Sequence, residues 1–142
     1  MWAFSLTRGY HRLVPMTIFW RLVSAVAGVA ALGLAVSGAL RGGPLAWLLL
    51  VVFLVGPDLT MLIKDRRPTV SGQMSPRAVP YYNAAHRMWA AAALLVAGAV
   101  LLAAIGVVPI LVGGLAWFGH IAIDRALGFG LRSPEGFQRG PG

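Results

Sequence analysis

Four apolar stretches, each long enough to cross a bilayer as a helix and set apart by short polar breaks, leave this chain few folds to choose from. A hydrocarbon layer about 30 Å thick takes about 20 residues of helix, and inside it every backbone N–H and C=O must be bonded within the chain. The stretches predict helices over about 17–40, 44–64, 81–107 and 109–131, an all-α, four-transmembrane-helix bundle forming a single domain over 1–142. Composition points the same way: 58% of residues are hydrophobic and 11% charged, where soluble domains carry about a quarter. No separate soluble domain fits in the remainder. Cysteine is absent, which excludes disulfides and thiolate metal sites.

The breaks are chemically distinct. Arg41-Gly42-Gly43 precedes Pro44, which suits a first helical turn. Gly56-Pro57-Asp58 predicts a kink late in the second stretch, and 64–80, from Lys64-Asp65-Arg66-Arg67-Pro68 onward, reads as a basic loop without helical period. Gly106 to Pro109 is a tight turn, and 132–142 reads as a flexible tail. The first stretch also resembles a cleavable signal with Ser37-Gly38-Ala39 as its cleavage site, but its apolar core exceeds the roughly 7 to 15 residues of such signals, so a retained helix is expected. Ala27, Ala31, Ala35 and Ala39 give that helix a small-residue face suited to close backbone approach, within the chain or in a homo-oligomer.

The net charge of +8 arises from eleven arginines and one lysine against four acids. A pI near 11.6 raises nucleic acid as a partner, but the distribution reports topology instead. Arg8 and Arg12 in the first tail, Lys64, Arg66, Arg67 and Arg77 in the loop, and Arg132 and Arg139 in the last tail share one side of four spans; Arg41 stands on the other. Retention of Lys and Arg on the cytoplasmic side puts both termini there, in a bacterial inner membrane, with anionic lipid headgroups rather than nucleic acid as partner. Trp2, Phe4, Tyr10, Trp20, Tyr81 and Tyr82 read as an interfacial aromatic belt, and His11 as an interfacial residue.

Against this apolar background the ionisable residues are expensive. A carboxylate at the middle of a membrane helix costs roughly 2.5 to 3.5 kcal/mol, so it asks for a partner or a function. Counting residues from the basic side puts Asp58, Asn83, His86, His120 and Asp124 at similar depth on three helices, with Asn83/His86 and His120/Asp124 each on one helix face. Neutral imidazole and carboxylate suit a divalent ion such as zinc, manganese or iron, so Asp58, His86, His120 and Asp124 are candidate metal ligands. Asn83 is a candidate to orient water or substrate, and Arg87 and Arg125 to hold a phosphate or lipid headgroup in metal-assisted hydrolysis or transfer. Two other readings stand beside this one: a hydrogen-bond network in which the acids pair with Arg87 and Arg125, and a proton or ion path in a small transporter.

Three separated motifs carry a family resemblance: Pro57-Asp58-Leu59-Thr60-Met61-Leu62, then Tyr82-Asn83-x-x-His86, then His120-x-x-x-Asp124-Arg125-x-x-Gly128-x-Gly130-Leu131, closing with Pro134-x-Gly136-Phe137. Their order and spacing over about Phe19 to Phe137 resemble the bacterial integral-membrane family called domain of unknown function 4260 (DUF4260). The resemblance implies a small four-helix membrane protein and no established activity. Where the family pattern has a glutamate soon after the arginine matched by Arg21, this chain has Val23-Ser24, and where it has Thr-His-Leu-Gly after Phe137, this chain has Gln138-Arg139-Gly140-Pro141-Gly142.

Overall fold

The computed structural model describes residues 18–65 and 70–138. The chain is all-helical: α1 (Ile18–Leu59) passes into a 3-10 turn (Thr60–Leu62), followed by α2 (Val79–Ala85), α3 (Met88–Ile105) and α4 (Pro109–Leu127). Among the described residues there is no strand, only one isolated bridge between Arg132 and Gln138. Three helices, α1 with its 3-10 extension, α3 and α4, are long and apolar enough to cross a membrane; α2 is short.

A straight helix of 42 residues would run about 63 Å, twice the thickness of a hydrocarbon layer. α1 avoids this at Gly43, whose φ of 72° and ψ of −165° leave helical space. Glycine reaches positive φ without a Cβ penalty, and Pro44 then presets φ for the second arm. The two arms, 18–42 and 44–59, lie along α4 in opposite senses. In the first arm Gly42 meets Val108, Gly38 meets Val112, Leu32 meets Gly119 and Gly28 meets Ile123. In the second, Leu49 and Phe53 meet Gly113, and the Phe53 ring lies 5.4 Å from that of Trp117. Ala35, Ala39, Ala46, Leu50, Val112 and Ala116 fill the seam. The alanine stripe of the first arm is therefore spent inside the chain, with Ala31, Ala35 and Ala39 buried.

α3 lies antiparallel on α4 at backbone contact. A Cβ at Gly98 would come 2.5 Å from Leu111, and one at Gly114 would come 2.6 Å from Leu95. Such approach is how membrane helices gain packing where lipid is as apolar as their side chains. Only 11% of the apolar window of α3 and 17% of that of α1 is buried within the chain, against 39% for α4. α4 is thus the central helix, and the apolar surfaces of the others face outward. Leu22, Val26, Leu40, Val96 and Ile105 are all more than half exposed, a surface that water would not tolerate and lipid would.

The structure differs from the sequence reading in four places. The third stretch is not continuous over 81–107: α2 and α3 are separated at His86 and Arg87, with Arg87 extended at φ −82° and ψ 117°. Torsions stay helical through Gly56-Pro57-Asp58, where a kink is expected, and the reversal of α1 falls at Gly43, in the break the sequence places at Arg41-Gly42-Gly43. α4 stops at Leu127 rather than near 131, because Gly128 takes φ 92° and closes the end with its N–H on Arg125 O and the Phe129 N–H on Asp124 O. The segment after Arg132 is folded rather than flexible as far as Gln138: Met74 N–H bonds Gly136 O at 2.9 Å and Gln73 Nε2 donates to Glu135 O at 2.7 Å. The readings placed on Trp2, Phe4, Arg8, Tyr10, His11, Arg12, Arg66, Arg67 and Arg139 lie outside the described residues.

Candidate metal centre

Three elements deliver four ligand-bearing side chains to one point. Asp58 stands at the end of the second arm of α1, where Thr60 Oγ1 donates to Pro57 O at 2.7 Å and holds the exit from the helix. His86 caps α2. His120 and Asp124 are one turn apart on α4. Their ligand atoms all lie within 4.8 Å of one another. His86 Nε2 is 3.4 Å from Asp58 Oδ1, 3.4 Å from Asp124 Oδ2 and 3.3 Å from His120 Nε2. His120 Nε2 is 3.7 Å from Asp58 Oδ1 and 3.6 Å from Asp124 Oδ2. The set is graded in exposure: the side chain of His86 is 0% exposed, His120 10%, Asp124 18% and Asp58 48%.

Those separations are long for a hydrogen-bonded cluster, although the 3.3 Å between His120 and His86 is itself within hydrogen-bond reach. An N–H···O bond in a protein spans about 2.7 to 3.2 Å, and every one of these five separations is longer. Donors held by one tetrahedral ion at about 2.0 to 2.2 Å stand about 3.3 to 3.6 Å apart, close to these five separations. Proton supply argues the same way. His86 Nδ1 lies 2.9 Å from Tyr82 O, and a carbonyl only accepts, so Nδ1 carries the proton. In the neutral ring Nε2 then turns a lone pair toward two carboxylates and a second imidazole. The cluster is compatible with a divalent cation, and the Nδ1–H to carbonyl bond is the support that metal-binding histidines usually have.

The break at His86 and Arg87 is what aims His86, and α4 repairs its cost. Ending α2 there frees two carbonyls, which inside an apolar layer need new donors. Trp117 Nε1 takes Ala85 O at 2.7 Å and Arg125 Nη2 takes His86 O at 3.1 Å. Trp117, His120, Asp124 and Arg125 form one stripe on α4, so the helix that supplies two ligands also fixes the backbone bearing a third. Tyr82 completes the mount. It is 1% exposed and its ring stacks on His86 at 3.8 Å. Burial, with Asp124 nearby, raises the pKa of its phenol.

The other expected site residues are placed differently. Asn83 points at the final segment, its Nδ2 donating to Arg132 O at 2.9 Å and its Oδ1 accepting from Arg132 N at 2.8 Å. Arg125 holds backbone carbonyls, the second being Phe129 O at 2.8 Å. Arg87 is exposed, and its side chain has no hydrogen-bond or ion-pair partner among the described residues. No arginine pairs with Asp58 or Asp124 among them; their partners are the two histidines. Tyr82, read from sequence as an interfacial aromatic, is a buried support. Trp117 carried no functional expectation, although its place three residues before His120 on the ligand face is a signal that sequence contains.

A helical, membrane-embedded chain whose apolar helices enclose a cluster of two histidines and two aspartates is the class this fold and site define. The chain belongs to the DUF4260 family, described as a domain of unknown function, whose model matches residues 22–140. No curated protein and no solved structure matches it.

Proposed function

We propose that this is a bacterial inner-membrane protein that binds one divalent metal ion, zinc, manganese or iron, through Asp58, His86, His120 and Asp124, and uses it in hydrolysis or transfer on a phosphate-bearing or lipid substrate. The observation that carries the reading is the approach of four ligand atoms to within 4.8 Å of one another, five of the separations running from 3.3 to 3.7 Å, near those of a tetrahedral coordination shell. A bound ion of this kind polarises water or a phosphoryl oxygen. Asp58, the most exposed ligand, is the one that yields its place to water or substrate. Arg87, exposed beside His86, meets the anionic group of the substrate. Arg125 and Asn83 act as positioning residues, through the His86 carbonyl and the Arg132 backbone.

In the membrane the two arms of α1, α3 and α4 make four passes. Lys64, Arg77 and Arg132 stand on the same end of the chain as the cluster, and Arg41 on the other, which favours a cytoplasmic face for the cluster and for both termini. The basic end then meets anionic headgroups.

Metal analysis of the purified protein tests the reading. Wild type is expected to hold one ion per chain, and His120→Ala and Asp124→Ala to lose it while remaining monodisperse. Wild-type protein that is folded and free of metal after supply with zinc, manganese or iron sinks it. A second reading rests on ligand count, because sites with four protein ligands and no open position are commonly structural. In that case Asp58→Ala lowers thermal stability in step with metal loss, and no phosphoester hydrolysis accompanies metal binding in wild type.

A further inference from the structure

The end of the molecule far from the cluster carries a groove that the metal reading does not use. The first arm of α1 and α3 both rest on α4 without closing on each other, leaving a space of about 390 Å³ between them. Leu34, Leu102, Leu111 and Leu115 wall it, and Ser37 and Arg41 are its polar and charged lining. Those two are four residues apart, so they share a helix face. Arg41 is exposed and its guanidinium has no hydrogen-bond or ion-pair partner among the described residues. It sits on the last turn before the Gly43 reversal, roughly 22 Å along the second arm from Asp58. An unpaired guanidinium at the edge of an apolar layer calls for an anion, and guanidinium matches phosphate oxygens with paired N–H donors.

We infer that this groove binds a single anionic phospholipid, its phosphate on Arg41 and Ser37 and one acyl chain along the leucine wall. The charge of Arg41 selects the headgroup, and the apolar walls accept any chain that reaches them. Gly38 makes the fit workable: a Cβ there would come 2.8 Å from Val112, so the glycine lets the arm settle on α4 and sets the depth of the groove. The lipid then fills the contact that α1 and α3 do not make with each other.

Native mass spectrometry of the full chain in detergent, titrated with phosphatidylglycerol or phosphatidylcholine, tests this. Wild type is expected to retain one phosphatidylglycerol in preference to phosphatidylcholine. Arg41→Gln should weaken phosphatidylglycerol binding about fivefold and weaken phosphatidylcholine, whose choline offsets the phosphate charge, by less. Leu34→Trp, which fills the groove from an exposed wall, should reduce both. Equal phosphatidylglycerol affinity in wild type and Arg41→Gln, at equal thermal stability, overturns the inference. So does efficient disulfide formation between two copies bearing Leu102→Cys in native membranes, which would give the groove to a second chain. If Leu34→Trp fails to fold, the Arg41→Gln comparison decides alone.

Discussion

At the scale of single residues, His86 is the one whose surroundings say most. Its Nδ1 is committed to Tyr82 O, its ring stacks on that of Tyr82, and its free nitrogen faces two carboxylates and a second imidazole. The grouping of Asp58, His86, His120 and Asp124 was legible in the sequence because it follows from counting spans and depth: they are rare residue types in so apolar a chain. The work of Asn83, Arg125 and Trp117 was not legible, since each bonds a backbone group whose position depends on the tertiary structure. Trp117→Phe keeps the ring and removes the N–H, so it should leave Ala85 O unpaired and cost roughly 1 to 3 kcal/mol, read as a lower melting temperature in detergent. Metal content should persist in that variant, because no ligand is touched. Asn83→Ala should release the segment around Arg132 to proteolysis while the metal stays bound.

At the scale of elements, the break between α2 and α3 escaped the sequence for a definable reason. Ala84-Ala85-His86-Arg87-Met88 contains neither proline nor glycine, and alanine favours helix. The chain leaves helix there because α4 offers donors to the carbonyls that come free, a tertiary compensation invisible to local propensity. The end of α4 was different. Gly128 just past Arg125 is a C-cap signal that stands in the sequence. The reversal in α1 gives a direct test: Gly43→Ala forces a Cβ into positive φ, a cost of roughly 1 to 2 kcal/mol, and should lower the melting temperature without changing metal stoichiometry. Gly98→Leu should do more, since a side chain there meets the Leu111 backbone, which cannot yield; loss of the monodisperse species in detergent would register it.

At the scale of the whole molecule, the apolar surface and the charge distribution together make topology the leading question. The absence of cysteine makes it readily measured. Ser71→Cys, in the loop after the second arm, should react with a membrane-impermeant maleimide only after cells are opened, and Val107→Cys, in the turn between α3 and α4, should react in intact cells. The reverse pattern would put the cluster on the outer face.

The central position of α4 also bears on how the protein comes to exist. Both arms of α1 and the whole of α3 pack on a helix that the ribosome makes after them, and that helix brings half of the His/Asp cluster. Until it arrives, Asp58 and His86 stand in the membrane without His120 and Asp124, and Ala85 O and His86 O stand without Trp117 and Arg125. A chain stalled after α3 is therefore a different object from one that includes α4, with polar groups left without their partners. The polar centre doubles as a check on assembly: only a chain that includes α4 can complete it.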